Sequence, residues 1–219
     1  MDCRGGTRRK EIVKDYDVVP IAHVKLLKGQ TKKSDAGPEI DDQYYVFKAT
    51  NKNDPNNVQV IQCGMRAARD FLSLSNRTSL PLFNPLIVPV GHTVNNRQAN
   101  PRNTSKEIKW DSIAEQLYNA IMWIIVVWNV SPRPNSPLFK IKSELEAFPR
   151  LKPYDSKIKA VNTMIKNGNH GSTLSDSIND LKSDNDIRKT VCEFDLLTKQ
   201  LHNLKDKNGK PLPSITSWF

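Results

Sequence analysis

The chain has 219 residues, of which 37% are hydrophobic and 26% charged, and its formal net charge is +10. This composition is that of an ordinary globular protein, and it excludes collagen-like and broadly disordered chains. The length is sufficient to bury a sizeable core in one body with two subregions. The positive charge favours encounter with polyanions, among which nucleic acid is the commonest.

The cysteines and the most hydrophobic run indicate a cytoplasmic protein without a membrane partner. Cys3, Cys63 and Cys192 are odd in number and lack a C-x-x-C pair, so they predict neither a disulfide framework nor a zinc site. The first ten residues lack the apolar segment of a secretory signal. The apolar run 120–128 is shorter than the ~20 residues that a membrane span requires.

Metal and cofactor patterns are missing from the sequence. The four histidines are scattered and show no H-x-x-x-H spacing, and the sequence has neither a P-loop nor a dinucleotide-binding glycine pattern. We therefore expect no metal and no cofactor.

Residues 11 to 74 carry the alternation and turn residues of a small sheet. Segments 11–14 and 21–27 predict short strands. Two further apolar runs flank a turn rich in Asn with one Pro and predict a β-hairpin over residues 43–61. A helix over 64–74 follows, because its apolar residues recur at spacings of three and four.

Helical spacing dominates the second half of the chain. A connector rich in Pro and Asn, with one short apolar run at 86–90, comes first. Ser112 and Glu115 match a capping box and begin the first helix. Apolar residues at helical spacing predict further helices over 142–148, over 156–166, after Thr173 and over 184–205.

These elements predict an α+β fold. Residues 1–100 form an N-terminal antiparallel sheet with one packed helix, and residues 101–219 form a mostly helical region. Trp218 and Phe219 are apolar enough to dock on the body of the protein or on a partner.

The function that these patterns favour is nucleic-acid binding by a non-enzymatic or accessory component of a larger assembly, with DNA or RNA as the partner. Basic residues recur near the N-terminus, in the loop before the hairpin and on the helix 64–74. Lys and Arg neutralise phosphates and release counterions, so such binding depends on salt and only weakly on sequence. The predicted phosphate contacts are Arg8, Arg9, Lys10, Lys32, Lys33, Arg66 and Arg69.

An enzyme with Cys63 as its nucleophile is the main alternative. Cys63 lies at a predicted strand-to-helix junction near Arg66 and Arg69, a setting that lowers a thiol pKa. His23 or His92 is the candidate base, because thiolate formation needs a proton acceptor within reach. Such a site would belong to a small cysteine-dependent hydrolase or transferase, or to a toxin. Buried, unreactive cysteine is the simpler explanation.

One acidic pattern and one aromatic pattern also bear on an interaction with nucleic acid. Glu39, Asp41 and Asp42 precede Lys48, the residue types of a metal-dependent nuclease, but no further acid stands two residues before the lysine, where one is needed. The hairpin carries three aromatic rings suited to stacking on unpaired bases, although core packing is their simpler use. These rings are Tyr44, Tyr45 and Phe47.

The C-terminal helices predict a third class of function, a protein-binding module. Its partner would contact the helix 184–205 together with Trp218 and Phe219. The order of short helix, turn and longer helix in this region also resembles a helix-turn-helix. However, Asp184 and Asp186 at the start of the second helix would face phosphates of the same sign.

Overall fold

The computed structural model describes residues 1–87, 109–130, 133–205, 210 and 213–219. These residues confirm the predicted α+β fold, in which an N-terminal antiparallel sheet with a packed helix precedes mostly helical structure. The elements are α1 Gly6–Asp15, β1 Tyr16–Lys25, β2 Gln43–Asn51, β3 Val58–Gly64, α2 Met65–Leu74, α3 Ser112–Val127, α4 Pro137–Ala147, α5 Asp155–Gly168, α6 Leu174–Lys182, a 3-10 turn Lys189–Val191, and α7 Asp195–His202.

The three strands form an antiparallel sheet in the order β1-β2-β3. The predicted hairpin is confirmed, with Thr50 opposite Val58 near the turn and Tyr44 opposite Gly64 at the far end. β1 begins directly after α1, and β3 passes directly into α2. Both helices are therefore fixed to the sheet without an intervening loop.

One face of this sheet packs on α1 and α2. Tyr45 and Phe47 stack with ring centroids 5.5 Å apart, and Phe47 lies 5.4 Å from Phe71 of α2. Both β2 rings are almost fully buried, and each such side chain contributes about 1.5–3 kcal/mol to folding. Tyr44, on the opposite face, is 1% exposed, so all three hairpin aromatics serve the core.

The predicted strand at 11–14 is wrong, because these residues belong to helix α1. The buried face of α1 contains Ile12 and the long polar side chain of Arg9. An arginine at a core-facing position interrupts the apolar repeat that identifies a helix in sequence.

The chain divides into two compact units. Of the described residues, those within 1–84 and 124–143 belong to unit 1, and those within 85–123 and 144–219 belong to unit 2. Helices α3 and α4 each cross a boundary between the units. The predicted domain boundary at residue 100 lies outside the described residues.

In unit 2, the predicted helix 184–205 is wrong. Its apolar residues are buried as expected, from Ile187 to Leu204, but the backbone is broken into a 3-10 turn and α7. Ile187 instead forms a β-bridge with Leu86, since the Arg188 N–H donates to Pro85 O at 2.8 Å and the Ile87 N–H donates to Asp186 O at 2.7 Å.

The last residues dock on unit 2 itself. The Leu174 N–H donates to Trp218 O at 2.8 Å, and the Trp218 N–H donates to the Asn162 side chain at 2.7 Å. Phe219 is 6% exposed and contacts Phe194, with ring centroids 6.3 Å apart. Of the two predicted alternatives, the body of the protein or a partner, Phe219 docks on the body.

Helix α3 begins at Ser112, but its cap is not the predicted Ser112–Glu115 box. The Asp111 carboxylate accepts from the N–H groups of Ile113 and Ala114, both at 3.0 Å.

Within the described ranges, no helix has the length and hydropathy that crossing a bilayer requires.

Candidate functional site

A cavity of about 550 Å³ lies in unit 1, where α1 and α2 both begin. Its walls are the first residues of each helix and the loop 34–43. Gly5 precedes α1 and Gly64 precedes α2, so both helices present their N-terminal ends to the same space.

Backbone pairing holds the loop in place beside β3. Lys32 and Ile40 exchange both backbone hydrogen bonds at 2.9 Å. The Asp35 N–H donates to Gln62 O at 2.8 Å, and the Gln62 N–H donates to the Asp35 carboxylate at 2.7 Å. The cavity wall is thus tied to the last residues of the strand that leads into α2.

The two helix starts make one side of the cavity electropositive. Neither helix has a side-chain cap, and neither has an acidic residue in its first turn. The first N–H groups of a helix have no acceptor within the helix, and the helix dipole places partial positive charge there. This side of the cavity therefore favours an anionic group such as a phosphate.

Two arginines of the cavity differ in what they can contact. Arg9 is 8% exposed, and its guanidinium donates to Asp70 at 2.9 Å and to Cys3 O at 3.0 Å. Arg9 therefore joins α1, α2 and the N-terminal segment. Arg66 is exposed, and no described carboxylate lies within ion-pair distance of it.

Acidic residues form the other side of the cavity. The Glu39 carboxylate accepts from Thr31 Oγ1 at 2.8 Å, and Asp42 is paired with Lys25. Asp41 is exposed. In the part of the chain that the structure describes, no three His, Cys, Asp or Glu side chains form a metal-binding group. The carboxylates can accept hydrogen bonds from a ligand. They would repel any anion beyond the one that the helix starts favour.

The structure places the seven predicted phosphate contacts in three environments. Arg9 and Lys32 are buried, and Lys32 Nζ donates to Asn129 O at 2.6 Å. Arg8 is exposed but paired with Glu11 at 3.0 Å. The remaining four are exposed and, among the described residues, have no ion-pair partner. We call these four the cationic set: Lys10, Lys33, Arg66 and Arg69.

The structure does not give Cys63 the lowered thiol pKa that its position before a helix suggested. Cys63 is 0% exposed inside the core between the sheet and α2. Burial raises the pKa of its thiol, the nearby Cys3 and Asp35 raise that pKa further, and Arg9 opposes them. The helix start lies next to Cys63 in sequence, but the thiol is removed from the solvent that a reactive thiolate needs.

Of the two candidate bases, the described one, His23, does not complete a thiol site. His23 is 8% exposed and stacks on Tyr45 with ring centroids 4.0 Å apart. Its ring nitrogens are bonded to Leu80 O at 3.1 Å and Gln43 Oε1 at 2.9 Å. His92 lies outside the described residues.

A comparison with protein families matches residues 1–209 to the family described as Uncharacterised conserved protein UCP028583. The chain belongs to this family. It matches no curated protein and no solved structure.

In this family member the cavity itself was missed by sequence reasoning. It is built from three segments that are distant in the chain, near residues 5, 40 and 65. The available signal was the glycine at each helix start, since Gly5 and Gly64 stand where a capping Ser, Thr, Asp or Asn is usual.

Proposed function

We propose that this protein binds nucleic acid through the phosphate backbone, without catalysing a reaction, as a component of a larger assembly. The observation that carries this proposal is the start of α2. There an uncapped helix N-terminus adjoins the exposed Arg66 and Arg69, for which no ion-pair partner is found in the described ranges.

The proposal rests on the chemistry of phosphate recognition. Backbone N–H groups at a helix start bind phosphate oxygens, and arginine can bind two oxygens of one phosphate at once. A cavity of about 550 Å³ is large enough for a phosphate and its sugar. Phosphate contacts of this kind position a nucleic acid without reading its sequence.

The acidic wall limits how the backbone runs. Glu39 and Asp41 would repel a second phosphate within the cavity. We therefore place one phosphate at the helix starts and the neighbouring phosphates along the exposed side of α2, at Arg69, rather than across the cavity.

The test compares two single variants, one that removes a positive charge at the cavity and one that removes a positive charge elsewhere. Arg66→Gln is expected to weaken binding to a labelled duplex and to lower the log-log salt slope by about 0.9, the value for one phosphate contact. Fluorescence anisotropy at several salt concentrations measures both. Lys140→Gln is the matched control, because Lys140 is also exposed and unpaired in the described structure but lies on α4.

Equal effects of Arg66→Gln and Lys140→Gln would show that only the overall charge matters, which would refute a site at α2. Absence of binding by the wild-type protein at low salt would refute the function itself.

A further inference from the structure

The connection between α4 and α5 in unit 2 exposes three large apolar side chains within seven residues. Phe148 is 56% exposed, Leu151 is 62% exposed and Tyr154 is 72% exposed. We call residues 148–154 the aromatic loop. Most exposed apolar side chains of a protein stand singly, so three on one connection make it a candidate interaction surface.

Cations accompany these apolar side chains. Arg150 and Lys152 are exposed between them. Lys157 Nζ lies 4.7 Å from the centre of the Tyr154 ring and is also paired with Glu144. The loop therefore combines planar rings with positive charge, and its complement is a ligand with flat apolar groups and negative charge.

We propose that the aromatic loop stacks on unpaired bases of single-stranded nucleic acid, an inference that rests on the proposed function. Phe148 and the face of Tyr154 opposite Lys157 supply the ring faces, and Arg150 supplies a phosphate contact between them. Bases of any sequence have a π-face, so stacking of this kind binds single strands with little sequence preference. In a duplex the same faces are already covered by neighbouring base pairs.

The charge beside Tyr154 favours a nucleic acid over a lipid surface. Inserting the Tyr154 ring among acyl chains would take the adjoining Lys157–Glu144 ion pair out of water, which is costly. Against a nucleic acid the same ion pair stays in contact with water.

The experiment compares two double variants of the full chain. Phe148→Ala with Tyr154→Ala removes both rings, whereas Phe148→Tyr with Tyr154→Phe keeps two rings. Leu82→Ala is the control for loss of an exposed apolar side chain elsewhere, since Leu82 is 37% exposed in unit 1. Fluorescence anisotropy measures binding to a labelled uridine homopolymer and to a labelled duplex. A cosedimentation assay measures binding to phosphatidylserine vesicles.

We expect the alanine double variant to bind the homopolymer about tenfold more weakly, within the range known for base–aromatic stacking. Binding of this variant to the duplex should be unchanged, and the ring-exchange variant and Leu82→Ala should bind both polymers as the wild type does. Circular dichroism checks that the variants are folded.

Three results would overturn the stacking site. If the alanine variant binds the homopolymer as the wild type does, the aromatic loop is not a stacking site, whereas the proposed phosphate contacts at α2 are not contradicted. Equal losses on homopolymer and duplex would also refute it, because stacking requires unpaired bases. A loss confined to vesicles would assign the loop to a lipid surface. If the wild-type protein binds neither polymer, the proposed function fails first.

Discussion

Burial separates the basic residues of unit 1 into two groups. Arg9 and Lys32 are less than one-tenth exposed and hold the protein together through internal partners. Lys10, Arg66 and Arg69 have similar side chains but face solvent. The sequence shows only the residue type, so it predicts phosphate contacts equally for the buried and the exposed basic residues.

Lys32 gives a prediction about pH and stability. Burial lowers the pKa of its ammonium. Between that lowered pKa and the ordinary value of about 10.4, the unfolded chain holds a proton on Lys32 that the folded chain lacks, so Lys32 contributes a rise of stability with pH in this window. Lys32→Met should remove this rise, whereas Lys33→Met, at the exposed neighbour, should keep it.

Urea unfolding at neutral pH and at a pH just below the ordinary lysine pKa measures the free energy of unfolding for each protein. The relevant quantity is the change of that free energy with pH, compared between variants. An identical change in wild type and Lys32→Met would contradict the lowered pKa.

Cys63 gives a prediction about thiol reactivity. Its thiol is fully buried with a raised pKa, and burial also raises the pKa of Cys3, to about 11. Burial raises the pKa of the Cys192 thiol as well, but Cys192 is only half-buried, so its sulfur is the most accessible of the three. Iodoacetamide should therefore alkylate Cys192 first and should reach Cys3 and Cys63 only after unfolding. Mass spectrometry of peptides assigns the modified sites.

Native alkylation of Cys63 at the rate of Cys192, or faster, would restore it as a candidate nucleophile. In that case Cys63→Ala would be the next variant to examine for loss of an activity.

At the scale of elements, the start of α3 allows a matched test. Asp111 accepts two backbone N–H groups, whereas the sequence pattern had assigned the cap to Ser112. Asp111→Ala should lower the free energy of unfolding by about 1 kcal/mol, the usual cost of losing an N-cap. Ser112→Ala should have a much smaller effect in the same urea titration. The reverse order would restore the Ser112 capping box.

Elements with local causes were predicted well. The hairpin and α2 follow from alternation, turn residues and helical spacing, all of which lie within the segment itself. The same holds for α5, since its apolar face at Ile158, Val161 and Ile165 is buried as its spacing indicates.

Elements that depend on distant residues were predicted poorly. Segment 184–205 has the apolar spacing of a long helix, but Ile187 pairs with Leu86, which is about a hundred positions away in the chain. α1 was missed because Arg9 fills a core-facing position that an apolar residue would normally occupy, and its partner Asp70 is in α2. Local patterns do not contain these partners.

At the scale of the whole molecule, the candidate site is a product of the fold. All four residues of the cationic set are among the seven predicted from sequence, but sequence could not separate them from the buried Arg9 and Lys32 or from the paired Arg8. The cavity could not, because the starts of α1 and α2 meet only when both helices pack on the same sheet. The aromatic loop was also missed, since exposure of Phe148 and Tyr154 depends on what the rest of unit 2 leaves uncovered.

The salt dependence of duplex binding by the wild-type protein tests the central claim most directly. Four phosphate contacts from the cationic set predict that log K falls linearly with log salt concentration, with a slope of about −3 to −4. A slope near zero, or no binding at low salt, would contradict a phosphate-binding role for Lys10, Lys33, Arg66 and Arg69.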